Sequence, residues 1–179
     1  MGSRARSILT KIKADIQGIN GTGSYNYNLS GSDQVIIGSQ MNPVRVPCVY
    51  VYCDTDAAAQ IAGTTPLTMY SRTMQVMVVG YVAGTDDSPE ELHLRTWDLL
   101  ADLKVALEDD RSLTVGGVDK CDDLELSMTS TDGAQIGRPS LGIAVVSLTV
   151  KYRQNSGSDF KCGRTADFVM LVGNVMPYT

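Results

Sequence analysis

Residues 72–107 read RTMQVMVVGYVAGTDDSPEELHLRTWDLLADLKVAL, from Arg72 to Leu107, and their reading decides the fold. Met74, Val76 and Val78 alternate with Gln75, Met77 and Val79, the period of two that marks a strand. Both sets are largely apolar, so this strand is expected to have neither face in water. The pattern breaks at Gly84 to Asp87 and restarts at Ser88-Pro89-Glu90-Glu91. Ser88 suits the N-cap, Pro89 the first helical position and Glu91 the reciprocal position of a capping box. Leu92, Leu99, Leu103, Ala106 and Leu107 then return at helical spacing, with Glu91, Arg95, Asp98 and Asp102 elsewhere on the helix. About twenty residues make a helix near 30 Å long, enough to cover a small sheet.

On the N-terminal side, Ser3 to Gln17 is an amphipathic helix: Ala5, Ile8, Leu9, Ile12 and Ile16 share a face and Gly18 stops it. Tyr25-Asn26-Tyr27-Asn28-Leu29 alternates and Val35-Ile36-Ile37 follows, a hairpin insertion turned at Ser30 to Asp33. Val44 to Cys53 is a strand, with Pro47 at an edge or bulge. Asp54 to Thr65, polar and alanine-rich, reads as a loop or a short helical insertion.

On the C-terminal side, Leu113 to Gly117 reads as a short strand closed by a turn. Asp122 to Thr129 alternates Leu124, Leu126 and Met128 inward with Asp123, Glu125, Ser127 and Thr129 outward. Ser130 to Ser140 reads as a loop, and Leu141 to Arg153 as the longest strand. Ala144, Val146, Leu148, Val150 and Tyr152 form one of its faces; Ile143, Val145, Ser147, Thr149 and Lys151 form the other. Ser156-Gly157-Ser158 is a linker signal, dividing residues 1–157 from a C-terminal arm, 158–179, that carries the apolar run Phe168 to Val172. The order α-β-β-β-β-α-β-β defines an α+β fold, an antiparallel or mixed sheet with two helices packed on one face.

The 179 residues carry a net charge of −5, which argues against general nucleic-acid binding. No apolar run reaches the ~18 residues of a membrane span. The start has no hydrophobic signal core, so the chain is expected to be cytoplasmic. Cys48, Cys53, Cys121 and Cys162 form no C-x-x-C pair and read as reduced, mostly buried thiols. His93, the one histidine, has no Cys or Ser partner at a recognisable spacing and reads as a packed or solvent-edge residue, not a general base. The acidic pairs Asp54/Asp56, Asp86/Asp87, Asp109/Asp110 and Asp122/Asp123 suit turns and caps better than a metal site. Asn20-Gly21-Thr22 and Asn28-Leu29-Ser30 match the glycosylation pattern by chance. No residue set nominates a catalytic site, a metal or a cofactor.

Two helices cover one face of a modest sheet. The second face, with Met77, Val79, Tyr81, Ile143 and Val145, must meet either the N-terminal hairpin or a second copy of the subunit.

This arrangement resembles the tail terminator (tail completion) proteins of long-tailed bacteriophages. The resemblance rests on the opening helix Ile8 to Lys13, the strand Met74 to Val82 and the acidic-capped helix Ser88 to Leu107 with Glu108-Asp109-Asp110. The short Leu113 to Gly117 and the strand Gly142 to Arg153, with its V-x-L-T-V-x-Y ending at Val146 to Tyr152, complete it over most of residues 5–154. The segment Gly21 to Thr65 and the arm depart from the compact pattern. The resemblance implies a non-enzymatic virion protein of the tail or neck, assembled in the host cytoplasm. It further implies that six copies would form a ring on the head-proximal end of the tail tube, stop tube polymerisation and meet the head–tail connector. Met77, Val79, Tyr81, Ile143, Val145, Phe168, Val169 and Leu171 are then candidates for the subunit interface, the arm packing on a neighbouring subunit or ring. In such a ring genomic DNA would be expected to pass the lumen without specific binding, and Asp109, Asp110, Asp122, Asp123 and Glu125 are candidates for an acidic wall. Another head–tail connector or a tail tube protein is the competing structural reading; a small cytoplasmic α+β enzyme or ligand-binding domain is the third.

Overall fold

The computed structural model describes residues 4–38, 43, 45–62, 69–84, 88–134 and 141–155. In chain order the elements are α1 (Arg4–Gln17), β1 (Val35–Ile37), β2 (Cys48–Ala62), β3 (Met69–Ala83), α2 (Pro89–Glu108), β4 (Asp123–Ala134) and β5 (Leu141–Asn155). The strands form one mixed sheet in the order β1-β2-β3-β5-β4, parallel only between β1 and β2. This is the α+β arrangement expected from the sequence, with β3 at the centre.

The helices share one face of the sheet. Ile8, Ile12 and Ile16 of α1 and Leu92, Leu99, Leu103, Ala106 and Leu107 of α2 are buried in one core with Met74, Val76, Val78, Val146, Leu148 and Val150. Ser88 caps α2 by accepting the Glu91 N–H at 3.4 Å, with Pro89 in the first turn. Two glycines let α2 approach: a Cβ on Gly142 would lie 2.0 Å from Thr96 Oγ1, and one on Gly80 would lie 2.6 Å from Leu99 Cδ2. These contacts lay α2 parallel to β5, its N-terminus over Gly142. At 15 residues each, β2, β3 and β5 run about 50 Å, so they extend past the roughly 30 Å of α2.

Several expectations are corrected. Tyr25 to Leu29 is not a strand, and it forms no hairpin with Val35 to Ile37. The backbone N–H groups of Asn26 and Tyr27 are taken by the Asp102 carboxylate, and β1 pairs in parallel with Val49 to Val51 of β2. Asp102, off the apolar stripe of its helix, is therefore buried as well, at 1% exposed. The segment 54–62 is neither loop nor helix but the second half of β2, paired with β3 through bulges at Asp54 and Ile61. Its composition yields to its partner strand, since β-propensity is mostly context. Asp56 is held there by Arg72, at 3.1 and 2.9 Å, and by the Tyr152 hydroxyl at 3.0 Å.

Leu113 to Gly117 is not a strand either. Val115 and Val118 exchange two backbone hydrogen bonds around Gly116 and Gly117, at φ +60° and +75°, a two-residue turn whose left-handed backbone favours glycine. β4 continues through Ala134, where a loop was expected. A bulge at Ser127 also breaks the alternation: Leu124 is buried, but position 128 pairs with Ser147 and not in phase with Leu126. The arm 158–179 lies outside the described residues, as does Asp86/Asp87.

Candidate functional site

The face of the sheet turned away from the helices is built in cross-strand rows. Cys48, Tyr81 and Ile143 form the first, Tyr50, Val79 and Val145 the second, and Tyr52, Met77 and Ser147 the third. Beyond them the rows turn polar: Thr55, Gln75, Thr149 and Glu125, then Ala57, Thr73, Lys151 and Asp123. Thr149 Oγ1 donates to Gln75 Oε1 at 3.1 Å within the first of these polar rows. All five sheet residues expected at an interface therefore lie together at one end of one face.

They are not equally open. Tyr81 is buried, its ring edge-on to Tyr50 at 5.9 Å, and with Cys48 these form a small core that Val46, Val79 and Ile143 pack against. Within the single chain Tyr81 therefore belongs to a local core. Val46, just before β2, supplies part of the cover. Met77, Val79, Ile143 and Val145 remain half-buried, so the strand core keeps one dry face and one partly wet one. Tyr50, which completes the tyrosine pair, was missed by sequence reading. Its signal was the alternation Cys48, Tyr50, Tyr52.

Both sheet edges are open among the described residues. β1 covers only Val49 to Val51, leaving the rest of β2 without an outer neighbour, and β4 pairs on one side alone. Bulges interrupt both edges, a feature that discourages indiscriminate pairing.

Four of the five candidate lumen carboxylates gather near the C-terminus of α2 and the start of β4. Asp110 pairs with Lys11 at 3.1 Å, Asp122 with Arg153 at 3.3 Å and Asp123 with Lys151 at 3.9 Å. Burial pushes the Asp110 carboxyl up, but the Thr114 N–H at 2.8 Å and the Lys11 ammonium outweigh it and hold it below its ordinary range. Asp15, also paired with Lys11, moves the other way because burial prevails. Asp109, at the C-cap of α2, and Glu125, on the polar rows, carry no ion pair among the described residues. The cluster is acidic but locally compensated.

The remaining polar features have local explanations. Trp97 Nε1 donates to His93 Nε2 at 2.9 Å on the exposed side of α2, so the histidine sits at the solvent edge. Asn20 Oδ1 accepts from Thr22 and Asn28 Oδ1 from Ser30, so each glycosylation-like triplet is a side-chain-capped turn. Cys48 and Cys121 are buried, which pushes their thiols up to about 11 and about 12 and keeps them protonated and unreactive. Cys53 is exposed. A groove of about 730 Å³ beside α1 has Arg6, Lys11 and Lys120 on its walls, Lys11 being engaged by Asp15 and Asp110. Among the described residues no group of three or more His, Cys, Asp or Glu could hold a metal ion, and no helix is long and apolar enough to cross a membrane.

No protein-family model and no curated protein matches the chain.

Proposed function

We propose that the chain is a structural subunit of a long-tailed bacteriophage: a tail terminator that closes, as six copies, into a ring on the head-proximal end of the tail tube. The observation that carries this reading is the one-sided sheet. Both helices lie on one face, the other keeps the half-buried Met77, Val79, Ile143 and Val145, and both edges have free backbone groups among the described residues. A subunit built this way has different surfaces on its two flanks, and a head-to-tail contact between different surfaces is what closes a ring. The ring ends tube growth and offers its other side to the head–tail connector, in the virion and, before that, in the host cytoplasm.

The role is one of assembly and not catalysis. DNA passes the bore without specific binding, Asp109 and Glu125 supplying repulsion while Asp110, Asp122 and Asp123 are balanced by neighbouring bases. Electron microscopy of the purified chain tests the reading. Isolated rings support a terminator, long stacked tubes support a tail tube protein, and dispersed single particles at high concentration count against both. Mapping the bore of a ring tests the acidic wall, which fails if lysine and arginine line it.

A further inference from the structure

Along the outer side of α2, Leu94, Trp97, Ala101 and Val105 recur at i, i+3, i+7 and i+11, a second apolar stripe on a helix whose first stripe is already in the core. Leu94 is 58% exposed, Trp97 48% and Val105 46%, whereas on the bare sheet face Tyr50 and Tyr81 are buried and Tyr52, Met77, Val79, Ile143 and Val145 are half-buried. The stripe is thus the more open of the two apolar surfaces. Trp97 needs nothing polar from a partner, because His93 already accepts its N–H.

We propose that this stripe, in place of the neighbouring subunit or ring that the family resemblance implies, is the docking site of the chain's own C-terminal segment, Phe168 to Val172. The chain continues for 24 residues past Asn155. Since α2 runs parallel to β5 and places Leu99 and Leu103 over Gly80, which flanks Ala144, the Val105 end of the stripe lies roughly 30 Å back from Asn155. Residues 156–167 span up to about 40 Å when extended, so Phe168 reaches Val105. Five extended residues from there cover about 16 Å, the length of the stripe from Val105 to Leu94.

Charge runs in the same order. The path from Asn155 first meets the C-terminal end of α2, where Glu108 and Asp109 are exposed and the last turn holds no basic residue. Two carboxylates at the negative end of a helix dipole are unfavourable, and a cation there relieves them. In the arm Lys161 and Arg164, flanked by Asp159 and Asp167, precede the apolar run, so two cations pass the acidic end before the apolar part reaches the apolar stripe.

The inference does not depend on ring formation. Trp97 is the chain's single tryptophan, so its emission reads this surface alone. Acrylamide quenching is measured on the full chain and on the full-length variants F168S/L171S, K161E/R164E and L94S/V105S, with far-ultraviolet circular dichroism as the fold control. Docking predicts a wild-type Trp97 quenched several-fold less than in F168S/L171S or L94S/V105S, a partial loss of protection in K161E/R164E, and no change on dilution. Equal quenching in wild type and F168S/L171S overturns the proposal, whether Trp97 is open in both or shielded in both by another surface. Protection that disappears on dilution also overturns it, because a second copy is then the cover.

Discussion

Asp102 holds both carboxylate oxygens against the backbone N–H of Asn26, at 3.1 and 2.9 Å. The same carboxylate takes the Asn26 side-chain amide at 3.0 Å and the Tyr27 N–H at 2.8 Å. A buried charge on α2 thus fastens the segment between α1 and β1, and Tyr27 adds a bond from its hydroxyl to the Arg95 carbonyl at 3.1 Å. Losing the carboxylate orphans several donors at once. D102A is expected to cost about 2–4 kcal/mol in urea unfolding, and D102N about half of that, since an amide keeps a single acceptor oxygen. Equal stability of D102A and wild type would mean that the segment is held by something else.

Gly142 is where α2 comes closest to β5. A methyl group there overlaps Thr96 Oγ1, which is itself bonded to the Leu92 carbonyl at 2.7 Å. G142A is expected to lower stability by about 1–3 kcal/mol, the usual cost of overpacking. In a double-mutant cycle, G142A/T96A should recover part of the loss, because the overlapping atom is gone. An additive cycle contradicts the close approach.

Lys11 lies between Asp15 and Asp110, and its own ammonium is held above its ordinary range because these two partners outweigh burial. Asp110, depressed in the folded state, contributes stability above the unfolded carboxylate range, and that contribution is lost as pH falls through its folded value. K11M leaves two carboxylates facing each other and should cost about 1 kcal/mol at neutral pH. The difference from wild type should shrink as the pH drops below the ordinary carboxylate range and both acids protonate. A pH-independent difference, measured by thermal unfolding from pH 3 to 7, contradicts this reading of the site.

The parts of the fold legible in the sequence were those where pattern and burial agree. The core alternation of β3 and β5 and the helical return of Leu92 to Leu107 each follow one face of one element. What failed depended on a distant partner. Tyr25, Tyr27 and Leu29 do alternate inward, yet their backbone N–H groups go to Thr22, Asp102 and Ile19 and not to a strand. The burial of Asp102, off the apolar stripe, was not legible because a helical wheel does not show which flank a loop will cover. Residues 54–62 looked like loop because Asp and Ala are poor strand formers, and β3 overrode them. The sheet residues of the candidate interface did converge on one face, but the extent to which Tyr50, Tyr81 and Val46 cover that face among themselves was not legible from β3 and β5 alone.

Val79 and Val145 are direct cross-strand partners on the half-buried face. V79D places a charge where a neighbouring subunit is proposed to sit, at a penalty of about 3 kcal/mol or more per buried unpaired charge. The cost to the isolated subunit should be nearer 1 kcal/mol, the span of strand propensity. Rings should therefore be lost while the thermal transition of the single chain moves by a few degrees only. Rings that persist in V79D place the interface on another surface.

The central claim is that one copy of this chain is an incomplete object whose bare sheet face and open edges are closed by further copies. Native mass spectrometry of the purified full-length protein tests it most directly. The result expected is a closed species of about six times the 19.2 kDa of one chain, stable on dilution into the micromolar range. A single 19.2 kDa species at every concentration, with no ring on added tube ends, contradicts it.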